Sequence, residues 1–283
     1  MPANPRFIEA ALITEAVADL CVKANTIISD DILSALKNAK EAEESALACT
    51  VLDTLLKNAD VAVREKLPVC QDTGMAVVFV SIGKDVHIDG DIEEAINEGV
   101  RRGYCEGYCR NSVVGDPLDR VDTGDNTPAV IHYDFVAGDK LQITVAPKGF
   151  GSENMSSLRM LNPSDGRQGI MDFIVETVNK AGANPCPPII VGVGVGGTME
   201  KAALLSKQAL LRDVGSAHEE PFWAEIEAQL LEKINSLGIG PAGYGGKTTA
   251  LAVNILTYPT HIAGLPVAVN IGCHATRHQS VTI

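Results

Sequence analysis

The stretch LPVCQDTGMAVVFV, Leu67–Val80, contains a sharp change of character at Gly74. Before it, Pro68, Cys70, Gln71, Asp72 and Thr73 have the composition of a turn. After it, Met75 to Ile82 is a nearly unbroken apolar run with three valines and a phenylalanine. A run this short and this rich in β-branched residues predicts a buried strand rather than a helix. The chain is therefore expected to turn at Thr73-Gly74 and enter a sheet, with Cys70, Gln71 and Asp72 held at its edge. The triplet Asp72-Thr73-Gly74 recurs at Asp122-Thr123-Gly124. Paired triplets of this kind supply the two carboxylates of aspartic proteases, where one acts as acid and the other as base. Here they lie too close in sequence to come from two lobes. The second also falls in the polar string DRVDTGDNTP, which reads as an Asx turn.

Working outward from this stretch, Phe7 to Lys57 is helical in pattern. One stripe runs through Ile8, Ala11, Leu12, Ala16, Val17 and Leu20, and another from Ile32 through Leu36 and Cys49 to Leu56, with Asp30-Asp31 as a helix start. Asp91 to Arg102, Ile170 to Ala181, Thr198 to Leu211 and Trp223 to Leu237 predict further helices. Ala129 to Phe135 and Lys140 to Val145 predict strands joined as a hairpin through Ala137-Gly138-Asp139. Pro188 to Val195, Ala250 to Leu256 and Leu265 to Ile271 predict three more strands. The expected fold class is mixed α/β (α+β): a helical N-terminal region packed on a mainly antiparallel or mixed sheet with flanking helices. One domain is expected over 1–283, with the helical region at about 1–60 and an α/β region at about 61–283.

Of the 283 residues, 36 are Asp or Glu and 23 are Lys or Arg, a formal net charge of −13. Such a surface repels phosphate backbones, so no nucleic-acid partner is expected. No apolar run approaches the ~18 residues of a membrane span, and no signal-peptide pattern opens the chain. Seven cysteines in such a chain suggest reduced thiols and a cytoplasmic location. Cys21 and Cys49 fall on apolar helix faces, and Cys105 and Cys109, one helical turn apart, read as structural. Cys70, Cys186 and Cys273 differ, each lying beside Pro, Gly or polar residues at a strand or loop edge, in LPVCQDTG, ANPCPPII and NIGCHATRH. Three thiolates on separate loops can hold an iron–sulfur cluster with one iron left open, or can be three unrelated turn cysteines. IIVGVGVGGTMEKA formally fits a dinucleotide fingerprint through Gly192, Gly194 and Gly197, but close strand-to-helix packing explains the glycines equally well.

Five blocks carry a further signal: LPVCQDTG, APKGFGSENMS, NPCPPIIVGVGVGGT, LGIGPAGYGGKTTAL and PTHIAGLPVAVNIGCHATRH. Together and in this order they resemble the class I, iron–sulfur fumarate hydratases and the related L-tartrate dehydratases, over nearly the whole chain. The resemblance implies a [4Fe–4S] cluster on Cys70, Cys186 and Cys273 whose fourth iron is open to substrate. It implies Gln71 and Asp72 as substrate contacts, with Asp72 also catalytic, and Arg110 on a substrate carboxylate. It further implies backbone N–H contacts at Gly149 and Gly151, and His261 as a catalytic residue. The implied reaction is reversible hydration of fumarate to L-malate, with L-tartrate dehydration as the alternative. The length resembles an alpha subunit, so a separate beta subunit is expected to bring the remaining substrate-binding groups, and the chain alone is expected to be inactive.

Overall fold

The apolar run after Gly74 becomes the central strand of a sheet. In the computed structural model, which describes residues 5–283, the elements follow in the order β1 (Arg6–Glu9), α1 (Ala10–Thr26), α2 (Asp30–Ala42), α3 (Ala46–Glu65), β2 (Met75–Gly83), β3 (Val86–Asp89), α4 (Ile92–Glu106), β4 (Val130–Val136), β5 (Leu141–Lys148), α5 (Phe150–Glu153), β6 (Ser157–Leu161), α6 (Gly166–Ala181), β7 (Ile189–Gly196), α7 (Met199–Ala209), α8 (Pro221–Asn235), β8 (Ala250–Tyr258), β9 (Leu265–Gly272) and β10 (Gln279–Thr282). The fold class is mixed α/β, as the patterning predicts. Among the described residues no helix is long and apolar enough to cross a membrane.

The contacts divide the chain into two compact units. One comprises the residues through Ile28, Asn58–Gly149 and Arg277–Ile283; the other comprises Ser29–Lys57 and Phe150–Thr276. The residues of the helical region expected at about 1–60 fall in both units.

The first unit is built on the sheet β10-β5-β2-β4, in which β2 is antiparallel to β5 and parallel to β4. Val78 and Val80 of β2, Ile143 and Val145 of β5, and Ile13, Val17, Ile96 and Val100 of α1 and α4 share one core. Each such aliphatic side chain contributes about 1.5–3 kcal/mol on burial. The two helices approach closely because Gly99 and Gly103 face α1. A Cβ at Gly103 would stand 2.6 Å from Ala18 O and 2.7 Å from Cys21 Cβ. Two expectations are corrected here. Arg6–Glu9 is a short strand parallel to β3, so the helix starts only at Ala10. The expected hairpin does not form either: β4 and β5 lie on opposite sides of β2, with their connection wrapped around its end. A strand apolar on both faces needs a hydrogen-bonding neighbour at each edge, and Gly83 leaves room for the turn, since a Cβ there would stand 2.4 Å from Gly138 O.

The second unit is built on the sheet β6-β9-β7-β8. All eight residues of β7 are buried, which demands cover on both faces. Ile189, Val191, Val193 and Val195 pack with Ile170 and Ile174 of α6 and Ile226 and Leu230 of α8. The alternate residues Gly192 and Gly194 meet α7, where a Cβ would collide with Ser206 O and Ala202 O. Period-two alternation thus sorts aliphatic side chains to one face of β7 and glycines to the other. The edge strand β6 is short and largely exposed, which is why its pattern escapes the sequence reading.

Candidate active site

In the first unit the carbonyls of Asp72, Thr73 and Gly74 precede the sheet ladder, whose first pair with β5 is Met75 with Lys148. Buried carbonyls outside a ladder need other donors, and side chains supply them. Arg277 Nη2 donates to Asp72 O at 2.8 Å. The Tyr104 hydroxyl lies 3.0 Å from Thr73 O and 3.2 Å from Gly74 O. Asn126 Nδ2 donates to Gly74 O at 3.2 Å. Burial drives the Tyr104 phenol far above its ordinary range, so it stays a neutral donor.

This loop brings five of the expected residues together. Cys70 Sγ lies 3.6 Å from Gln71 Oε1. Asp72 Oδ1 accepts from Gly74 N at 3.0 Å. Thr73 Oγ1 bonds both the N–H and the carbonyl of Arg110, at 3.0 and 3.1 Å, and so fixes the Arg110 backbone beside the loop. Gly149 faces the Asp72 carboxylate, for a Cβ there would stand 3.1 Å from Asp72 Oδ2. Gly74 has φ +72°, and a Cβ on it would lie 2.5 Å from the Lys148 carbonyl, so only glycine allows the turn.

The second unit gathers Cys186, Cys273 and Gly151. Cys186 precedes β7 and Cys273 follows β9, and because these strands are antiparallel neighbours both cysteines lie at one edge of the sheet. His274 ties the two loops, with its N–H 3.4 Å and its Nδ1 3.0 Å from Cys186 O. Cys186 has φ +55°, a left-handed conformation that leaves its side chain exposed. Gly151 faces the same segment, its Cβ position 3.9 Å from Asn184 O. Glu153 anchors the glycine loop by accepting from Asn270 Nδ2 at 3.0 Å and Lys207 Nζ at 2.6 Å.

His261 is not brought to that edge. It lies between β8 and β9, at the other end of the sheet, where Ala263 N donates to its Nδ1 at 3.2 Å. With Gly197, Thr198, Lys201 and Tyr258 it lines a cavity of about 470 Å³. The eight residues of β9, at about 3.3 Å each, separate it from Cys273 by about 25 Å.

The second triplet proves structural. Asp122 Oδ1 accepts from Gly124 N at 2.6 Å, repeating the Asx turn of Asp72, and its loop carries Asn126 to the underside of Gly74. Arg101 holds the same loop through Asp125 Oδ2 at 2.9 Å. The Thr127 hydroxyl, and then Arg101, depress the Asp125 carboxyl to about 2. Cys21 is buried and its thiol is pushed far up by that burial. Burial also raises Cys109, to about 11. Neither is a ready thiolate. The dinucleotide reading weakens too, because Gly192 and Gly194 are accounted for by the close approach of α7.

A family model described as fumarate hydratase (Fumerase) matches residues 14–282. The chain belongs to the fumarate hydratase family. It is 43% identical over 273 residues to a Methanocaldococcus jannaschii protein named "Putative L(+)-tartrate dehydratase subunit alpha", covering 94% of this chain and 95% of that one. It is 33% identical over 275 residues to the L(+)-tartrate dehydratase subunit alpha of Escherichia coli strain K12, covering 96% and 90%. Membership makes the chain a hydro-lyase of the fumarate hydratase and tartrate dehydratase alpha type. Both relatives are named as alpha subunits.

An iron–sulfur group needs thiolate donors, and this fumarate hydratase family chain has them in suitable form. Cys70, Cys186 and Cys273 are each at least partly exposed on a loop, whereas Cys21 is buried. That donor chemistry fits the group. Cys70 belongs to the first unit and the other two to the second. Among the described residues no three His, Cys, Asp or Glu side chains form a metal-binding group. Patterning misses four residues around these loops. Tyr104, Asn126, Arg277 and His274 act on backbone carbonyls, and such contacts leave no periodic signature.

Proposed function

We propose that the chain is the alpha subunit of a two-subunit, cytoplasmic [4Fe–4S] hydro-lyase that interconverts fumarate and L-malate. The observation that carries this reading is the Cys70–Gly74 loop. It presents a thiol, an amide and a carboxylate in succession and is held by buried donors rather than by the sheet. Cys70, Cys186 and Cys273 would hold the cluster. When bound, it supplies a Lewis acid for the departing hydroxyl at an iron without a protein ligand.

The chain's own residues bind the diacid and handle its proton. Arg110, with its backbone locked to Thr73, presents a guanidinium whose fork matches a carboxylate. Gln71 adds a neutral amide contact. Gly149 and Gly151 allow a substrate to approach the backbone N–H groups where a side chain would block it. Asp72, whose Oδ1 accepts from Gly74 N and whose Oδ2 Gly149 faces, exchanges the proton. His261, held about a strand's length from Cys273 in its own sheet, can join such a site only from a second copy of the chain. Mixing His261→Asn with Cys186→Ser subunits tests this: partial recovery of activity is expected in the mixture, and none if His261 acts within its own chain.

The experiment for the whole reading is anaerobic reconstitution with a beta subunit. Malate dehydration is expected, and the alpha chain alone should be inactive. Cys70→Ser, Cys186→Ser and Cys273→Ser should each abolish the visible absorbance of the protein, whereas Cys105→Ser should keep it. A colourless wild-type chain prepared with iron and sulfide overturns the cluster. The names of the relatives favour a second reading, L-tartrate dehydration. Comparing turnover of L-malate and L-tartrate by the same complex decides between them.

A further inference from the structure

We propose that Arg277 is the positioning residue of the Cys70–Asp72 loop, holding the Asp72 carbonyl so that the thiol and the carboxylate keep one geometry. The inference deepens the reading of Cys70 and Asp72 as site residues and rests on it. Three consecutive carbonyls, those of Asp72, Thr73 and Gly74, are each met by a buried side chain from a different segment: Arg277, Tyr104 and Asn126. Their relative exposures are 5%, 1% and 0%. Two of the donors are neutral, which is enough to satisfy a carbonyl at ordinary strength.

The third is a guanidinium, which stays charged at every accessible pH. Burying such a charge costs several kcal/mol, and a neutral donor would satisfy the same carbonyl more cheaply. Structural need alone therefore does not call for arginine here. A cation gives what a neutral donor does not: its hydrogen bond to the carbonyl is about twice as strong.

The test uses Arg277→Gln, which keeps a donor and removes the charge, and Arg277→Lys, which keeps the charge and loses the fork. In the metal-free full chain, amide exchange at residues 70–74 is expected to be at least about ten times faster in Arg277→Gln, with β2 and β5 unchanged. In the reconstituted complex, Arg277→Gln should lower kcat by about 10–100-fold, as outer-shell partners do, with KM within about threefold. Arg277→Lys should recover most of that loss. Wild-type exchange at 70–74 in Arg277→Gln overturns the proposal. So does uniform loss of protection across the first unit in both variants, the mark of a merely structural role. If Arg277→Gln does not fold, Arg277→Lys decides: selective opening at 70–74 or near-wild-type kcat supports the proposal, and uniform loosening overturns it. A wild-type complex that binds no iron defeats the functional reading instead, because the exchange measurement on the metal-free chain needs no cluster.

Discussion

Asp72-Thr73-Gly74 and Asp122-Thr123-Gly124 make the same local structure, an aspartate oxygen accepting from the amide two residues on. Their different roles come from what surrounds them. The first is enclosed by buried donors, and the second belongs to a loop that provides one of those donors. Replacing Asn126 by Ala removes bonds to Gly74 O (3.2 Å) and from Ser112 N (2.8 Å), and leaves a non-glycine residue at φ +60° without the side chain that tolerates it. A loss of about 2–3 kcal/mol in urea unfolding is expected; a loss below about 0.5 kcal/mol would show that the loop is not braced there. Gly74→Ala should cost more than about 2 kcal/mol, since left-handed strain adds to a Cβ placed 2.5 Å from the Lys148 carbonyl. The Asx turns and the left-handed glycine are legible in the sequence. The buried partners are not, because Tyr104, Asn126 and Arg277 lie far along the chain from the carbonyls they meet.

At the scale of elements, α2 and α3 meet at Glu43, a buried carboxylate that caps neither helix in the ordinary way. Its Oε1 accepts from Glu44 N and Ser45 N, and its Oε2 accepts from Lys247 N at 2.8 Å. Burial opposes its charge, but these backbone donors, with Thr248, outweigh burial and hold the carboxyl below its ordinary value. The glycine-rich segment before Lys247 is therefore closed around an internal anion. A group with a depressed folded pKa contributes stability above its unfolded pKa of ~4.3 and loses it as pH falls through the folded value. Glu43→Gln should accordingly lower Tm at pH 7, by an amount equivalent to about 2 kcal/mol, and the gap to wild type should narrow below about pH 4. A pH-independent gap would mean that the charge is not what matters. In the sheet of the second unit, Gly194→Ala forces a Cβ into Ala202 O. It should destabilise by several kcal/mol through displacement of α7, and no loss would show that the glycines serve a ligand instead. The strands with strong apolar or β-branched patterns, β2, β4, β5, β7, β8 and β9, are those that the sequence reveals, although it does not reveal how β4 and β5 pair. The four-residue β1, β3 and β10 and the five-residue edge strand β6 escape it, because strands this short depend on the neighbour they pair with.

For the whole molecule, the chain passes from one unit to the other after Ile28, Lys57, Gly149 and Thr276. The last seven residues return to the first unit, where β10 pairs with the edge of β5 and Ile283 exchanges backbone hydrogen bonds with Leu141 at 2.8 and 3.1 Å. Truncation after Thr276 therefore removes both Arg277 and an edge strand. Rapid proteolysis within residues 58–149 is expected, with residues 150–276 more resistant; equal resistance throughout would show that the return segment is dispensable.

Composition and local pattern by themselves determined the mixed α/β class, the buried strands, the turn at Gly74 and three cysteines set apart at loop edges. These features depend on residues close in sequence, where spacing and backbone sterics decide the outcome. Only the tertiary structure decided that the N-terminal helices are divided between two units, that β4 and β5 flank β2, and that His261 lies a strand's length from Cys273. It alone decided that Arg277, Tyr104 and Asn126 close around Asp72–Gly74. Long-range pairing and the satisfaction of buried carbonyls depend on which distant segments meet, and neither leaves a period or a motif in the chain.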